Sequence, residues 1–194
     1  MRRRPRPRGG AFALSWGWDA DASALALALA RDALGRHDLA LGRLCPRCGS
    51  TSHGRPLVLD AAGREVADAH VSLSRCGAFA VAAFSVRPVG VDVQGLRDAD
   101  VSLASVVLHP AERARDDAAL TRVWVLKEAL LKALGTGLAT DPREIQLGGV
   151  RTPHVVSGPG RGARLTLREL PAAGPDRPYL VAVAVLPRGG RPGR

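Results

Sequence analysis

Cysteine is scarce in this chain, with three residues in 194, and that excludes a dense disulfide scaffold. No run of about 18 apolar residues free of charge occurs, so no membrane-spanning helix is expected. Acidic tracts and repeats are also missing. Lysine is scarcer than cysteine: of 28 basic residues only Lys127 and Lys132 are lysine, and the rest are arginine. The formal charge of +10 resembles a nucleic-acid signal, but its placement argues against one. Residues 1–10 hold five arginines and residues 188–194 hold three, with no acid in either, which leaves 20 basic against 18 acidic residues elsewhere. A near-neutral folded part makes broad binding to nucleic acid a poor expectation.

What is present is apolar residue enough for a core, 46% of the chain, in one domain or two small lobes. The opening MRRRPRPRGG reads as a basic tail. It lacks the full twin-arginine pattern, and the apolar run that follows is short and interrupted by Asp19 and Asp21. Export is therefore not expected, and the location is read as cytoplasmic. Residues 12–18 read as a strand, and Asp21 as the cap of a helix over 22–34 that Gly35 stops. Residues 45–56 read as a loop. Residues 71–73, 79–84 and 89–93 read as strands, 101–108 as a short helix or turn, and 110–134 as a long helix opened by Pro110 and closed by Gly135. Strands recur at 144–147, 163–170 and 179–186, with 148–162 and 187–194 as loop and tail. Leu180, Ala182 and Ala184 alternate with Val181, Val183 and Val185, so both faces of the last strand are apolar. Helices and strands mix without regular alternation, which favours an α+β fold.

The long helix carries the first chemical signal. With Val123 at zero and about 100° per residue, an apolar arc covers most of its circumference. Lys127 falls near 40°, inside that arc, and Glu128 and Lys132 form an i, i+4 pair on one side. Charges embedded in an apolar helix must be paired or face a ligand. The abundance of arginine elsewhere suggests that this segment wants a compact ammonium rather than a guanidinium fork. Asp92 interrupts the apolar strand at 88–94, with Gln94 on the same face. Asp92 and Glu128 together would make a hard oxygen site for Mg²⁺. Ser74 and Arg75, near a strand end, have the donors to hold a phosphate.

VGVD at 89–92, then WVLKEALLKALGTGL at 124–138, resembles the signature of the 4′-phosphopantetheinyl transferase superfamily. The matching positions are Asp92, Trp124, Lys127, Glu128, Lys132, Gly135, Gly137 and Leu138. HGRP at 53–56 is similar to the family's G-K-P loop, and VSLSRCG at 71–77 to its N-L-S-H-S-G segment, as in the long, surfactin-synthetase-activating type. The resemblance implies an α+β fold of two similar lobes packed as a pseudo-dimer, here residues 11–87 and 88–187, and a monomer. It implies Mg²⁺-dependent transfer of the phosphopantetheine arm of coenzyme A to a serine of an acyl or peptidyl carrier protein. Asp92, Glu128 and Gln94 would then serve the metal. Lys127 and Lys132 would stabilise phosphate charge, with Lys127 the more important, and Glu128 would also act as base. Arg55, Pro56, Ser74 and Arg75 would hold the adenosine end, with Arg31 as a looser candidate. Arg113, Arg115 and Arg122 are candidates for meeting an acidic carrier.

The chain departs from the family pattern at Arg75, where a histidine is expected, and at Cys76, where a serine is. It departs again at Gln94, where a second acid is common, and at Val125. A catalytically degenerate scaffold is the alternative. A further one follows from Cys45-x-x-Cys48 and His53, whose spacing suits zinc in a nucleic-acid module. Such a site needs a fourth ligand, for which only Cys76 or His70 is at hand. Free thiols are the default expectation.

Overall fold

The computed structural model describes residues 12–45, 47–149, 151–171 and 178–188. The basic tail read at 1–10 and most of the one read at 188–194 lie outside these residues. Among the described residues the elements follow one order twice. The first half runs β1 (Ala13–Trp18), α1 (Ala22–Leu34), a hairpin of β2 (Ala40–Leu44) and β3 (Arg55–Leu59), then β4 (His70–Cys76) and β5 (Phe79–Ser85). The second runs β6 (Val89–Gly95), a short helix α2 (Ala104–Val107) and α3 (Asp117–Leu134). A hairpin of β7 (Gln146–Gly148) and β8 (His154–Ser157) follows, then β9 (Arg164–Leu170) and β10 (Tyr179–Val185). Each half has a three-stranded antiparallel sheet with its last strand in the centre, β1-β5-β4 and β6-β10-β9. The α+β class expected from the sequence is therefore the one observed.

Local chemistry sets the helix ends. The Asp21 carboxylate accepts a hydrogen bond from Ser23 N at 2.8 Å, and Gly35 leaves α1 at φ 65°, a conformation glycine adopts without Cβ strain. Helix α3 does not begin at Pro110, as the sequence suggested. It begins after Asp116, whose carboxylate accepts from Ala119 N at 2.7 Å. Residues 109–112 instead form a turn in which Glu112 N donates to His109 O. The Glu112 carboxylate accepts from His109 N and Leu147 N, so residues 110–116 are held as a loop. Arg113 and Arg115 are consequently off the helix. Two strands were read as loop: β3 takes Arg55 and Pro56 out of the turn-rich segment, and β8 lies within 148–162.

The layers run α1, first sheet, second sheet, α3. Ala26 and Ala30 of α1 pack with Ala82 and Phe84. The opposite face of that sheet meets the second sheet through Phe79, Val81 and Ala83 against Val91, Val93, Val181 and Val183. Leu180, Ala182 and Ala184 face the other way, into α3. Strands β5 and β10 thus have both faces covered, which is why they read as unbroken apolar runs.

Strands β4 and β6 are edges of different sheets, and serine hydroxyls join them. Val91 N donates to Ser72 Oγ at 3.0 Å and Val93 N to Ser74 Oγ at 3.3 Å. These bonds satisfy amides that a sheet edge would otherwise leave buried and unpaired. On the other side of β6, Gly90 admits α3. A Cβ at that position would collide with the Ala129 carbonyl and the Ala133 amide. This close approach sets the second half of α3 against Asp92.

Candidate active site

Asp92 is buried in the middle of β6, paired in register with Ala182. Its Oδ1 accepts from Ser74 Oγ at 2.7 Å and from Lys132 Nζ at 2.7 Å, and its Oδ2 accepts from Gln94 Nε2 at 3.2 Å. Lys132 Nζ also donates to Val91 O at 3.1 Å and to Ser74 Oγ at 3.2 Å. The helical pair expected between Lys132 and Glu128 is therefore replaced by an ion pair with Asp92, because a buried carboxylate and two further acceptors lie within reach.

Glu128 Oε1 is buried and has no hydrogen-bond partner. Burial pushes the Glu128 carboxyl above the usual carboxylate range, the nearby Asp92 charge pushes it further, and Lys132 opposes both. An unpartnered buried carboxylate oxygen beside a second carboxylate is costly without a cation. The donor set, two carboxylates with the Gln94 amide alongside, fits a hard divalent cation such as Mg²⁺.

Lys127 lies elsewhere. Its side chain has 0% exposure, and Nζ donates to Glu112 Oε2 at 2.6 Å and to Val107 O at 2.8 Å. Burial pulls the pKa of its ammonium down while Glu112 pulls it up. Neither Lys127 nor Glu128 lines the cleft described next. The structure thus does not bring Lys127 together with Lys132. Glu112 went unnoticed in the sequence because it meets Lys127 through a turn and not at helical spacing.

A cleft of about 830 Å³ opens beside this cluster, walled by the first half of the chain and by the C-terminal end of α3. Arg43, Arg47, Arg55, Arg75 and Lys132 line it, and Asp21 is the one acid among its lining residues. The expected Arg55, Pro56, Ser74 and Arg75 all lie on this wall, whereas Arg31 does not and spends a guanidinium nitrogen on Leu39 O at 2.8 Å. Arg75 is exposed and reaches Ala20 O at 2.8 Å. Ser74 lines the cleft, but its hydroxyl is engaged by Asp92 and Lys132. Thr136 Oγ1, also on the wall, is buried without a partner. Burial, together with the charge of Arg55, holds the pKa of cleft-lining His70 below its ordinary value. Arg43, Arg47 and Thr136 escaped the sequence reading, and His70 entered it only as a possible zinc ligand. The clustering of arginines around 43–55 was the signal that could have found the first two. Such a cationic, one-sided wall suits a polyanionic ligand with several phosphates.

Of the carrier-facing candidates, only Arg122 is on α3, and it pairs with Glu169 at 2.5 Å on the surface. Cys76 is separate from the other thiols, its Sγ donating to Asp98 Oδ2 at 3.4 Å. No described helix is long and apolar enough to cross a membrane.

Comparison with known proteins gives one family match and two relatives. Residues 88–180 match the model of the 4′-phosphopantetheinyl transferase superfamily. The 4′-phosphopantetheinyl transferase psf-1 of Bacillus pumilus is 29% identical over 97 residues, covering 45% of this chain and 39% of the relative. The 4′-phosphopantetheinyl transferase gsp of Aneurinibacillus migulanus is 28% identical over 79 residues, covering 37% of this chain and 33% of the relative. The match spans well under half the length of each of these relatives.

Proposed function

Because residues 88–180 match the model of the 4′-phosphopantetheinyl transferase superfamily, we propose that the chain moves the phosphopantetheine arm of coenzyme A to a serine hydroxyl of an acyl or peptidyl carrier protein. 3′,5′-ADP is the other product. The observation that carries this reading is the placement of the arginine-lined cleft against the buried Asp92–Lys132–Ser74 cluster and the unpartnered Glu128. A phosphate-rich ligand in the cleft would find cations along one wall, and Ser74 and Lys132 there connect it to the Asp92 carboxylate behind.

In this reading Arg43, Arg47, Arg55 and Arg75 hold the phosphates and the adenosine end of coenzyme A. Lys132, whose side chain is 30% exposed, stabilises charge that grows on the leaving phosphate. Glu128 would take the proton from the attacking serine, directly or through water. Asp92 and Glu128 would hold Mg²⁺, with Gln94 in support, and the ion would neutralise pyrophosphate charge when bound. Lys127 acts as an internal staple between α3 and the Glu112 turn, away from the phosphates. The functional unit is a cytoplasmic monomer of two lobes that divide near residue 87.

The test is mass spectrometry of apo-carrier proteins incubated with coenzyme A, Mg²⁺ and this protein. A phosphopantetheine mass shift on the carrier serine is expected. Coenzyme A binding without any shift on a panel of acyl and peptidyl carriers would assign the chain to the degenerate scaffold class.

A further inference from the structure

We propose that Cys45, Cys48 and His53 form a zinc site that closes the loop between β2 and β3. The three side chains each bring one ligand atom into a group whose members all lie within 4.8 Å of one another. Cys48 Sγ and His53 Nε2 are 3.4 Å apart. Around tetrahedral zinc, with metal–sulfur bonds of about 2.3 Å and metal–nitrogen bonds of about 2.0 Å, ligand atoms sit roughly 3.5–3.8 Å apart. The cluster therefore needs a contraction of little more than about an ångström.

The backbone of the loop is shaped for this use. Gly49 N donates to Cys45 O and Cys45 N donates to Ser50 O, both at 2.9 Å, which brings Gly49 and Ser50 back onto Cys45. Gly49, directly after the second cysteine, has φ 70°, a left-handed turn that a side chain would strain. At the far end Gly54 has φ 104°, and a Cβ there would collide with the Leu44 carbonyl. The loop is thus pinned where it leaves β2 and where it enters β3. Backbone amides of Cys48 and Arg47 hydrogen-bond the Cys45 sulfur, an arrangement suited to a thiolate ligand.

Charge favours the assignment as well. Arg43 and Arg55 flank the loop in the chain and Arg47 lies within it, so a bare dication would be repelled. Two thiolates and Zn²⁺ together are neutral, and such a centre adds no positive charge among the arginines. Cys76 and His70, the fourth ligands considered from the sequence, are not in the cluster. The fourth position is left to water. The consequence is positional: Cys45 and Arg47 both line the cleft, so the metal would hold the arginine-bearing end of the hairpin in shape. The inference does not depend on the transferase reading.

The experiment is metal analysis of the full chain, purified with zinc present and then desalted. About one zinc per chain is expected. Cys48→Ser and His53→Ala, both at exposed positions, should lose most of it, while Cys76→Ser keeps it. Cobalt in place of zinc should give thiolate-to-metal absorption in the parent and lose it in Cys48→Ser. The parent alone supplies a second readout that no variant's folding can confuse. Zinc should protect Cys45 and Cys48 from alkylation, a chelator should expose Cys48, and Cys76 should react alike in both states. Zinc content no higher in the parent than in Cys48→Ser, or a Cys45–Cys48 disulfide under non-reducing mass spectrometry, would overturn the proposal. Failure of carrier modification would leave the zinc result standing.

Discussion

Lys127 and Lys132 occupy one helix, share one sequence signal and make different contacts. Lys127 is sealed, with both hydrogen bonds spent on Glu112 and Val107. Lys132 sits at the rim of the cleft, 30% exposed, on the Asp92 carboxylate. Their positions differ by five residues, hence by about 140° around the helix. That rotation turns one toward the Glu112 turn and the other toward β6. Composition can reveal that an ammonium is wanted, but only the direction of the side chain says whether it serves the fold or a ligand.

The contrast can be broken most forcefully at the buried pair. Lys127→Met removes one partner and strands the Glu112 carboxylate inside the protein. Breaking a buried pair in this way costs about 3–5 kcal/mol, which chemical denaturation would read directly. Lys127→Met with Glu112→Gln should recover part of that loss, since the amide oxygen can still accept from Leu147 N. If Lys127→Met melts like the parent but no longer modifies carriers, Lys127 belongs with the phosphates, as the sequence first suggested, and the contrast fails.

On the other side of the helix the effect should appear in rate. Lys132→Arg puts a bulkier fork where three acceptors already surround one ammonium. Lost contacts to developing phosphate charge cost about 10²–10³ in turnover, and we expect a loss of that order with a melting temperature near the parent's. Asp92→Ala should lose transfer altogether. Equal turnover of Lys132→Arg and the parent would mean that any cation suffices there.

How much of this was legible beforehand follows the range of the interactions. Asp21, Gly35 and Gly135 act on neighbours a few residues away, so the ends of α1 and the end of α3 were readable. Asp92 and Glu128 stood out because each is a charge in an apolar run. The start of α3 was misread because Pro110 suits a helix start, whereas the outcome depends on Glu112 reaching Leu147 N and Lys127 across the fold. Strand β2, Ala-Leu-Gly-Arg-Leu, has little apolar alternation and is held by pairing with β3, which no local pattern announces. The same hairpin carries Arg43 and frames Arg47, so that part of the cationic wall of the cleft stayed hidden with it.

A subtler contrast concerns pH. The fold favours the neutral form of Glu128 more than the unfolded chain does, because its carboxyl is pushed up. Its contribution to stability is then greatest at low pH and is lost as pH rises through the raised folded value. Glu128→Gln should therefore melt above the parent at neutral pH, and the gain should shrink as pH falls below the ordinary carboxyl value of 4.5. Thermal melts across acidic to neutral pH check both. A constant offset between Glu128→Gln and the parent would mean that Glu128 titrates alike in the folded and unfolded chain.

The smallest expected effect lies at Gln94. Its amide donates to Asp92 Oδ2 at 3.2 Å, a bond that satisfies the carboxylate without adding charge. Gln94→Glu replaces that donor with a second carboxylate. Without a divalent cation the two like charges repel, so the variant should melt slightly below the parent. With Mg²⁺ the added charge strengthens binding of a hard cation. The variant should therefore gain more thermal stability from the metal and need less of it for half-maximal transfer. Gln94→Glu combined with Lys127→Met should retain that larger metal response, because the staple lies on the other side of the helix. A Mg²⁺ response unchanged by Gln94→Glu would put residue 94 outside the metal's reach and leave Asp92 and Glu128 to hold the ion between them.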